Sequence, residues 1–256
     1  MSVSPLKHVQ VEGDEVAVVT FDSGKNLNVF TLELLRELQQ VVRGFETHRP
    51  RAVVFVGDED RFSAGMSVDD ALGLTPAQFR EFVELEYAVF GEVERLGCAT
   101  VAALSGPCIG NAAEFALACD YRVATPGVRF GLPEVAIGFA APTQRILRYL
   151  SFDQARDFLL RSRIVTGDEA FELGLVNQVT AEGSPLAAAM RLAGSLAALS
   201  PMAVELTKKS LFAQYAAETH RDALEIESSV RAFASDDTHE GMVAFLERRQ
   251  PIYRGK

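Results

Sequence analysis

Hydrophobic positions along the chain change between a spacing typical of strands and one typical of helices. Residues 8–11 and 16–21 are rich in β-branched side chains and flank the turn sequence EGDE, so they predict a hairpin. Leucine, valine and phenylalanine then recur at helical spacing over residues 32–47, where Thr31 can cap the helix. The pattern predicts two antiparallel strands followed by an amphipathic helix.

Two continuous apolar runs have the length of strands but lack the alternation of a half-exposed strand. They cover residues 52–58 and 100–104 and predict strands that are buried on both faces of a sheet. Large apolar side chains at helical spacing predict a second long helix over 75–97. Residues 106–110 predict a turn, and residues 111–119 predict a short helix rich in alanine. This alternation is typical of an α/β core with largely parallel strands.

From about Thr143 onward the pattern is nearly all helical. The predicted helices lie at 143–150, 153–161, 168–173, 184–199, 201–216, 218–234 and 237–248. Between them, only the sequence VNQV at 176–179 resembles a strand. Composition alone suggests a core domain of residues 1–195 and a helical C-terminal region of residues 196–256.

Composition narrows the class of protein and partner. The chain has 256 residues, of which 48% are hydrophobic, which is enough to bury a core. Its formal net charge of -10 makes nucleic acid an unexpected partner. The uncharged stretch 96–113 approaches the length of a membrane span, but a Ser-Gly-Pro break at 105–107 favours two short buried elements, so we expect no membrane contact. The N-terminal sequence resembles neither a secretory signal nor a mitochondrial presequence, and we therefore expect a cytoplasmic protein.

Several kinds of site have no support in the sequence. The four histidines are scattered and form no HExxH motif or Cys/His cluster, so we expect no metal centre. Cys98, Cys108 and Cys119 lack CxxC spacing and predict reduced thiols in the core. Motifs for hydrolase nucleophiles, dinucleotide binding and phosphate-binding loops do not occur.

Two glutamates lie in unusually apolar surroundings, Glu114 in GNAAEFALA and Glu134 in RFGLPEVAIGF. Burial raises the pKa of a carboxylic acid toward neutrality, where two such groups could supply an acid and a base. An alternative fits the spacing equally well, in which Glu114 caps its own helix and Glu134 faces solvent at a turn.

Two glycine-containing turns each lie between a predicted strand and a predicted helix, SAGMS at 63–67 and GPCIGN at 106–111. Backbone N–H groups at such turns and helix starts are unpaired, so the two turns together could bind a developing oxyanion. For either turn alone, ordinary strand-to-helix geometry is the simpler explanation.

These segments resemble the enoyl-CoA hydratase/isomerase (crotonase) family. FSAGMSV resembles the family's FxAGxD[IL] segment, and SGPCIGNAAEFALACDYRVAT resembles its GxxxGGGxE(L)xxxCDxRxA segment. Further similar segments extend over most of the chain, namely SGKNLNVFTLELLREL, FGLPEVAIG with TQRI after it, ARDFLLRSRIVTGDEAFELGLVNQV and EGMVAFLERRQPIY. The resemblance implies a spiral of ββα repeats with a helical C-terminal region that mediates trimers, commonly paired into hexamers. It also implies an acyl-CoA thioester substrate and no cofactor.

Matched motif by motif, the resemblance also implies site residues. Glu114 and Glu134 would be the catalytic pair of a hydratase, and we expect Glu114 to be the base because the helix dipole favours its ionised form. The backbone N–H groups of Met66 and Asn111 would form the oxyanion hole. The implied substrate-binding positions are Lys25, Ala64, Gly65, Ser67, Val68 and Gly110. Of these, Lys25 could contact the CoA phosphates, although an exposed salt bridge is the simpler interpretation.

The sequence departs from the family pattern beside both glutamates. The triple glycine of many hydratases is replaced by Gly110-Asn111-Ala112, which predicts a narrower pocket. The PGAGG segment before TQR is replaced by the shorter GFAAP at 138–142. Hydration is the first hypothesis, and three alternatives stay open: a Δ3,Δ2-enoyl-CoA isomerase using Glu134 alone, another acyl-CoA lyase, decarboxylase or hydrolase, and an inactive binding protein of the same fold, including an RNA-binding one.

Overall fold

The computed structural model describes residues 6–58, 60–181, 184–213 and 221–255. The strands are β1 (Val9–Glu12), β2 (Val16–Phe21), β3 (Ala52–Val56), β4 (Ala99–Leu104), β5 (Pro107–Ile109), β6 (Tyr121–Ala124), β7 (Arg129–Gly131), β8 (Ile164–Val165) and β9 (Gln178–Val179). The α-helices are α1 (Leu32–His48), α2 (Val68–Leu72), α3 (Pro76–Glu94), α4 (Asn111–Ala118), α5 (Phe152–Leu160), α6 (Gly167–Glu172), α7 (Pro185–Ala197), α8 (Pro201–Ala213), α9 (Arg221–Phe233) and α10 (Asp236–Leu246).

Six strands form the main sheet, in the order β1-β2-β3-β4-β6-β9. β1 and β2 are antiparallel, with Val9 opposite Phe21, so the predicted hairpin is confirmed. All other neighbours in this sheet are parallel, as the alternation of strands and helices predicts. β3 and β4 are buried along their whole length, which explains their unbroken apolar sequences.

A second, smaller sheet has the strand order β5-β7-β8. β5 lies where the sequence predicts only a turn, and that prediction is wrong. Cys108 in β5 is fully buried and pairs with Phe130 of β7, so tertiary pairing outweighs the local turn signal. A parallel bridge also joins Cys108 to Ser63. The two glycine-containing turns are therefore neighbours in space.

The long helices follow their sequence patterns closely. Thr31 caps α1 by accepting a hydrogen bond from the Leu34 N–H, as predicted. The buried face of α1 consists of the six expected positions, Leu34, Leu35, Leu38, Val41, Val42 and Phe45. Thr75 and Gln78 form a capping box at the start of α3, which ends at Glu94, short of the predicted end at Gly97.

The helix predicted at 143–150 is wrong, because the segment is a loop with one 3-10 turn at Ile146–Arg148. Arg145 and Arg148 both form ion pairs with Glu94, at 2.9 and 2.5 Å, and these tertiary contacts outweigh the local helical preference. The predicted helices at 201–216 and 218–234 correspond to α8 and α9, and their residues 214–220 lie outside the described part of the chain. The short elements α2 and β8 were not predicted.

The C-terminal helices pack against the core beside the glutamates. The ring of Phe233 in α9 stacks on Phe79 of α3 at 4.0 Å. Thr238 in α10 donates a hydrogen bond from its Oγ1 to the Gly138 carbonyl at 2.6 Å, and Tyr253 donates one to the Ala136 carbonyl at 2.6 Å. α10 therefore holds the turn that contains Glu134. The boundary between residues 195 and 196 stays a prediction.

None of the helices in the described ranges is, on its own, both long and apolar enough to cross a membrane. α7 and α8 reach that threshold only when taken together, and the chain bends by 103° between them.

Candidate active site

The turns at 63–67 and 106–111 approach each other because glycine occupies their closest points. Gly65 has φ of 77° and Gly110 has φ of 60°, a backbone region that favours glycine. A Cβ atom on Gly65 would lie 2.5 Å from the Ile109 carbonyl oxygen, and one on Gly110 would lie 3.2 Å from Oε1 of Glu134. Glycine thus lets the two turns and Glu134 come together.

The two predicted oxyanion donors lie at this junction. Met66 follows Gly65 directly, and its N–H donates to Oδ1 of Asn111 at 3.4 Å. Asn111 is the first residue of α4, where backbone N–H groups have no partner within the helix. A Cβ on Gly65 would lie 3.2 Å from the Asn111 backbone nitrogen, so the two N–H groups belong to adjoining backbone segments.

The other predicted substrate-binding positions have clear local roles. The Ala64 N–H donates to the Leu27 carbonyl at 3.0 Å. Ser67 caps α2, whose first residue is Val68. Lys25 forms a half-exposed ion pair with Asp70 of α2 at 2.7 Å, which is the salt bridge that the sequence favours. Contact between Lys25 and CoA stays a prediction.

Glu114 is held deep in the core by its own helix. Its neighbour Phe115 packs against five other aromatic rings with centroids 5.2–6.1 Å away, on Phe21, Phe30, Phe55, Phe62 and Phe90. The Glu114 side chain is 4% exposed, and its Oε1 accepts a hydrogen bond from Arg145 at 2.5 Å. Burial raises the pKa of Glu114 to about 7, and the Arg145 guanidinium limits that rise. Glu114 therefore pairs with Arg145 rather than capping its helix.

Glu134 begins a 3-10 turn that runs to Ile137. The residue as a whole is half-buried, but its Oε2 atom is enclosed and has no hydrogen-bond partner among the described residues. Burial raises the pKa of Glu134 to about 8, its own backbone N–H opposes the rise, and the charge of Glu114 adds to it. Glu134 thus lies at a turn, as the alternative predicts, but one of its carboxyl oxygens is enclosed and does not face solvent.

Comparison with known proteins identifies the family. The family model for enoyl-CoA hydratase/isomerase matches residues 12–256. The chain belongs to the enoyl-CoA hydratase/isomerase family. It is 32% identical over 254 residues to the putative enoyl-CoA hydratase/isomerase YngF of Bacillus subtilis, with 96% of each chain covered. It is 30% identical over 252 residues to the short-chain-enoyl-CoA hydratase of Clostridium acetobutylicum, covering 96% of this chain and 97% of the relative.

A solved structure confirms the predicted fold class. The enoyl-CoA hydratase from Mycobacterium avium subsp. paratuberculosis matches with a TM-score of 0.87 at 23% identity, covering 98% of this chain and 100% of that chain. At this identity the likeness shows the fold alone. The crotonase-type α/β fold with a helical C-terminal region, which the sequence motifs implied, is therefore confirmed.

Arg145 is a site residue of this family member whose role was not predicted from the sequence. Its guanidinium, 2% exposed, lies between Glu114 and Glu94. The preceding loop is fixed by Glu225 of α9, which accepts hydrogen bonds from the Thr143 N–H at 2.6 Å and the Gln144 N–H at 2.8 Å. The buried carboxylates raise the pKa of Arg145, so this residue stays charged. The C-terminal helix α9 thereby positions the partner of Glu114.

Glu86 is another buried carboxylate at the site, and it is absent from the residues predicted from the sequence. It lies on α3 and is 1% exposed, with both carboxyl oxygens 2.6 Å from Nδ2 of Asn111. Burial, followed by the charge of Glu114, raises the pKa of Glu86 well above its usual range. A signal was present in the sequence, because helical spacing places position 86 between Val83 and Phe90 on the apolar face of α3.

Other features lie apart from this site. Over the described ranges, no group of three or more His, Cys, Asp or Glu side chains is placed to hold a metal ion. The three cysteines are free thiols, with Cys108 and Cys119 buried and Cys98 partly exposed. A cavity of about 640 Å³ between α4 and α8 is lined by residues that include Asp120 and Lys208, and none of the predicted site residues lines it.

Proposed function

We propose that this family member is an enoyl-CoA hydratase, which adds water across the 2,3 double bond of an enoyl-CoA thioester. The observation that supports this most is the pair of glutamates, Glu114 buried and Glu134 half-buried, with different neighbours. The pKa of Glu114 is raised to about 7 beside a guanidinium, whereas the pKa of Glu134 is raised to about 8 and its Oε2 atom has no hydrogen-bond partner within the described ranges. Near neutral pH the pair can therefore offer one carboxylate and one carboxylic acid.

In the proposed hydration reaction, Glu114, the backbone N–H groups and Glu134 each perform one step. Ionised Glu114 removes a proton from water as the water oxygen bonds to Cβ. The electrons of the double bond move toward the thioester, and the backbone N–H groups of Met66 and Asn111 stabilise the negative charge that develops on its carbonyl oxygen. Protonated Glu134 then donates its proton to Cα. After the reaction Glu114 holds a proton and Glu134 has lost one, so before the next turnover Glu114 must release its proton to solvent and Glu134 must take one up from solvent.

The proposal includes the setting in which the enzyme works. The substrate would be an acyl-CoA of fatty acid metabolism, and the reaction balances with water alone, so no further cofactor is required. The family resemblance supports a homotrimer or a hexamer of paired trimers. The net charge of -10 supports the absence of a nucleic-acid partner. A cytoplasmic location is part of the same proposal.

One observation favours a second candidate within the family. Glu114 is already engaged by Arg145, whereas Oε2 of Glu134 has no partner in the described residues. A Δ3,Δ2-enoyl-CoA isomerase needs a single carboxylate, which removes a proton from Cα of a 3-enoyl-CoA and returns it to Cγ. Glu134 could perform both transfers if Glu114 served only to bind Arg145.

Two single substitutions separate these reactions. Glu114→Gln and Glu134→Gln keep the side-chain shape but cannot transfer the proton, so each is expected to lower the rate of crotonyl-CoA hydration by about 10²–10⁴-fold. Glu172→Gln, on the exposed face of α6, is the matched control and should retain the rate. The same variants are assayed with 3-hexenoyl-CoA for isomerisation. Near-normal hydration by Glu114→Gln would contradict the two-carboxylate mechanism, and isomerisation lost only in Glu134→Gln would support the isomerase.

A further inference from the structure

The carboxamide of Asn111 occupies the place beside the Met66 N–H that a substrate carbonyl would need. Its Oδ1 accepts the Met66 N–H at 3.4 Å, close to the upper limit for a hydrogen bond. Asn111 also supplies the second backbone donor of the proposed oxyanion hole. Asn111 therefore supplies one donor of the oxyanion hole with its backbone N–H and covers the other donor, the Met66 N–H, with its side chain.

Glu86 fixes the orientation of this carboxamide. Its two carboxyl oxygens lie 2.6 Å from Nδ2 of Asn111, so the NH2 group faces the carboxylate and the carbonyl faces Met66. An Asn side chain is nearly symmetric in shape and could otherwise turn its NH2 group toward Met66. Both carboxyl oxygens are placed to accept hydrogen bonds from this NH2 group, and this holds the orientation in which Oδ1 covers the Met66 N–H.

The contacts of Glu86 distinguish it from the two proposed acid/base residues. Both of its oxygens bind the Asn111 carboxamide, whereas one oxygen of Glu134 has no hydrogen-bond partner among the residues that the structure describes. Glu86 lies on α3, 25 positions from Asn111, and is as deeply buried as the core around it. Its geometry suits a positioning role rather than proton transfer.

We propose that the Glu86–Asn111 pair is a latch on the oxyanion hole, in which the Asn111 carbonyl covers the Met66 N–H until a thioester carbonyl displaces it. The long Met66 hydrogen bond is weak and is readily exchanged. A ligand without a carbonyl oxygen at this place cannot replace the bond that it would break. The latch thus favours ligands that present a carbonyl oxygen to Met66. Every ligand must first break the hydrogen bond between the Asn111 carbonyl and the Met66 N–H, and the free energy of that bond lowers its affinity.

This inference rests on the proposed acyl-CoA site, so the first test needs no ligand. Amide hydrogen exchange at Met66 is measured by NMR in the unmodified protein, in Asn111→Ala and in Glu86→Gln. Exchange should be fastest in Asn111→Ala, which removes the acceptor, and intermediate in Glu86→Gln, which frees the carboxamide to rotate. Glu84→Gln, exposed on the same helix, is the control and should leave the rate unchanged. An unchanged Met66 rate in Asn111→Ala would overturn the proposal.

The second test compares two ligands by calorimetry, butyryl-CoA and the thioether S-butyl-CoA, which lacks the carbonyl oxygen. Asn111→Ala should bind butyryl-CoA about twofold to tenfold more tightly, as expected for loss of one weak competing hydrogen bond, and should bind S-butyl-CoA as before. Glu86→Gln should shift the ratio of the two affinities in the same direction by less. Equal changes for both ligands would indicate a merely wider pocket and would overturn the latch. Failure of both ligands to bind any variant would contradict the proposed function, while the exchange rates would still decide the Met66 contact.

Discussion

The site has two walls, and each wall carries one glutamate with its own set of neighbours. On one wall, Glu114 of α4 faces the Arg145 guanidinium at 2.5 Å in a network of buried charges. On the other, Glu134 lies in a short turn braced by α10, and its Oε2 atom lacks a hydrogen-bond partner in the described part of the chain. Burial is the largest cause of the raised pKa on both walls, and at Glu114 the Arg145 guanidinium opposes it.

This contrast shows how one protein environment can give two identical side chains different protonation states. Desolvation alone would raise the pKa of both carboxyl groups together. A fixed positive charge on one side separates them, so that between about pH 7 and about pH 8 the favoured pair is an ionised Glu114 and a protonated Glu134. The difference between the walls therefore depends on Arg145 and on the loop that α9 holds in place.

Replacing Arg145 should abolish the difference in pKa between Glu114 and Glu134. It should give the largest effect on stability and on the reaction rate. Arg145→Met leaves Glu114 buried without its cation and removes one of the two arginines paired with Glu94, which should lower the free energy of unfolding by about 3–5 kcal/mol. The pKa of Glu114 should rise, so the acid limb of the pH–rate profile should move to higher pH and the rate at pH 7 should fall by about tenfold or more. Denaturant unfolding and kcat/KM across pH provide the measurements. Arg161→Met, at an exposed ion pair with Asp157, is the control, and an unmoved acid limb in Arg145→Met would contradict the assignment.

Moving Glu134 away from α4 should lower the hydration rate by a smaller factor than the loss of Arg145. Gly110 has positive φ, and a Cβ atom there would lie 3.2 Å from Oε1 of Glu134. Gly110→Ala should therefore strain the backbone by about 1–3 kcal/mol and displace Glu134 from α4. We expect the hydration rate to fall by about tenfold while the melting temperature drops. Gly174→Ala, which also has positive φ but open space around its Cβ, controls for backbone strain alone. Equal loss of activity in both variants would show that the approach to Glu134 is unimportant.

The unmodified enzyme should show a bell-shaped dependence of kcat/KM on pH. Below about pH 7 the rate should fall as the base Glu114 gains a proton, and above about pH 8 it should fall as the acid Glu134 loses one, by about tenfold per pH unit on each side. Crotonyl-CoA hydration from pH 5 to pH 10 measures the two limbs. A flat profile through this range would mean that neither glutamate has the assigned protonation state.

The smallest expected effect is a change in stability with pH. The folded protein keeps the Glu134 proton up to about pH 8, whereas the unfolded chain loses it near the ordinary pKa of 4.5. Because the folded state binds more protons in this window, the contribution of Glu134 to stability decreases as pH rises from 4.5 to 8. Glu134→Gln has no such cost, so its stability relative to the unmodified protein should increase as pH rises through this window, and the difference should shrink toward pH 4.5. A difference that does not vary with pH, measured by urea unfolding, would argue against a buried proton on Glu134.

The sequence predicted the parts of this site that depend on local pattern. Strong periodicity indicated α1 and α3, and the motifs around Glu114 and Glu134 indicated both the fold and the glutamates. It did not indicate Arg145, because that residue acts through contacts with Glu114 and Glu94, which lie 31 and 51 positions away in the chain. The loop that carries Arg145 was predicted as a helix because its local pattern is helical and does not reveal these contacts with distant residues.

Glu86 was missed although its position follows the helical period of α3. Large hydrophobic side chains define the apolar face of α3, and the pattern alone does not mark a carboxylate on that face as a site residue. Its function depends on the Asn111 carboxamide, which reaches it only after α3 and α4 have packed together. Local pattern shows that position 86 is buried, whereas the identity of its partner is a property of the tertiary structure.

The protonation states of the two glutamates are the central claim, and carbon-13 NMR measures them directly. Glutamate carboxyl carbons are labelled and titrated from pH 4 to pH 10, with Glu114→Gln and Glu134→Gln used to assign the two resonances. We predict midpoints near 7 for Glu114 and near 8 for Glu134, so that the two groups differ in charge between these values. Two midpoints near the ordinary glutamate value of 4.5 would contradict the account.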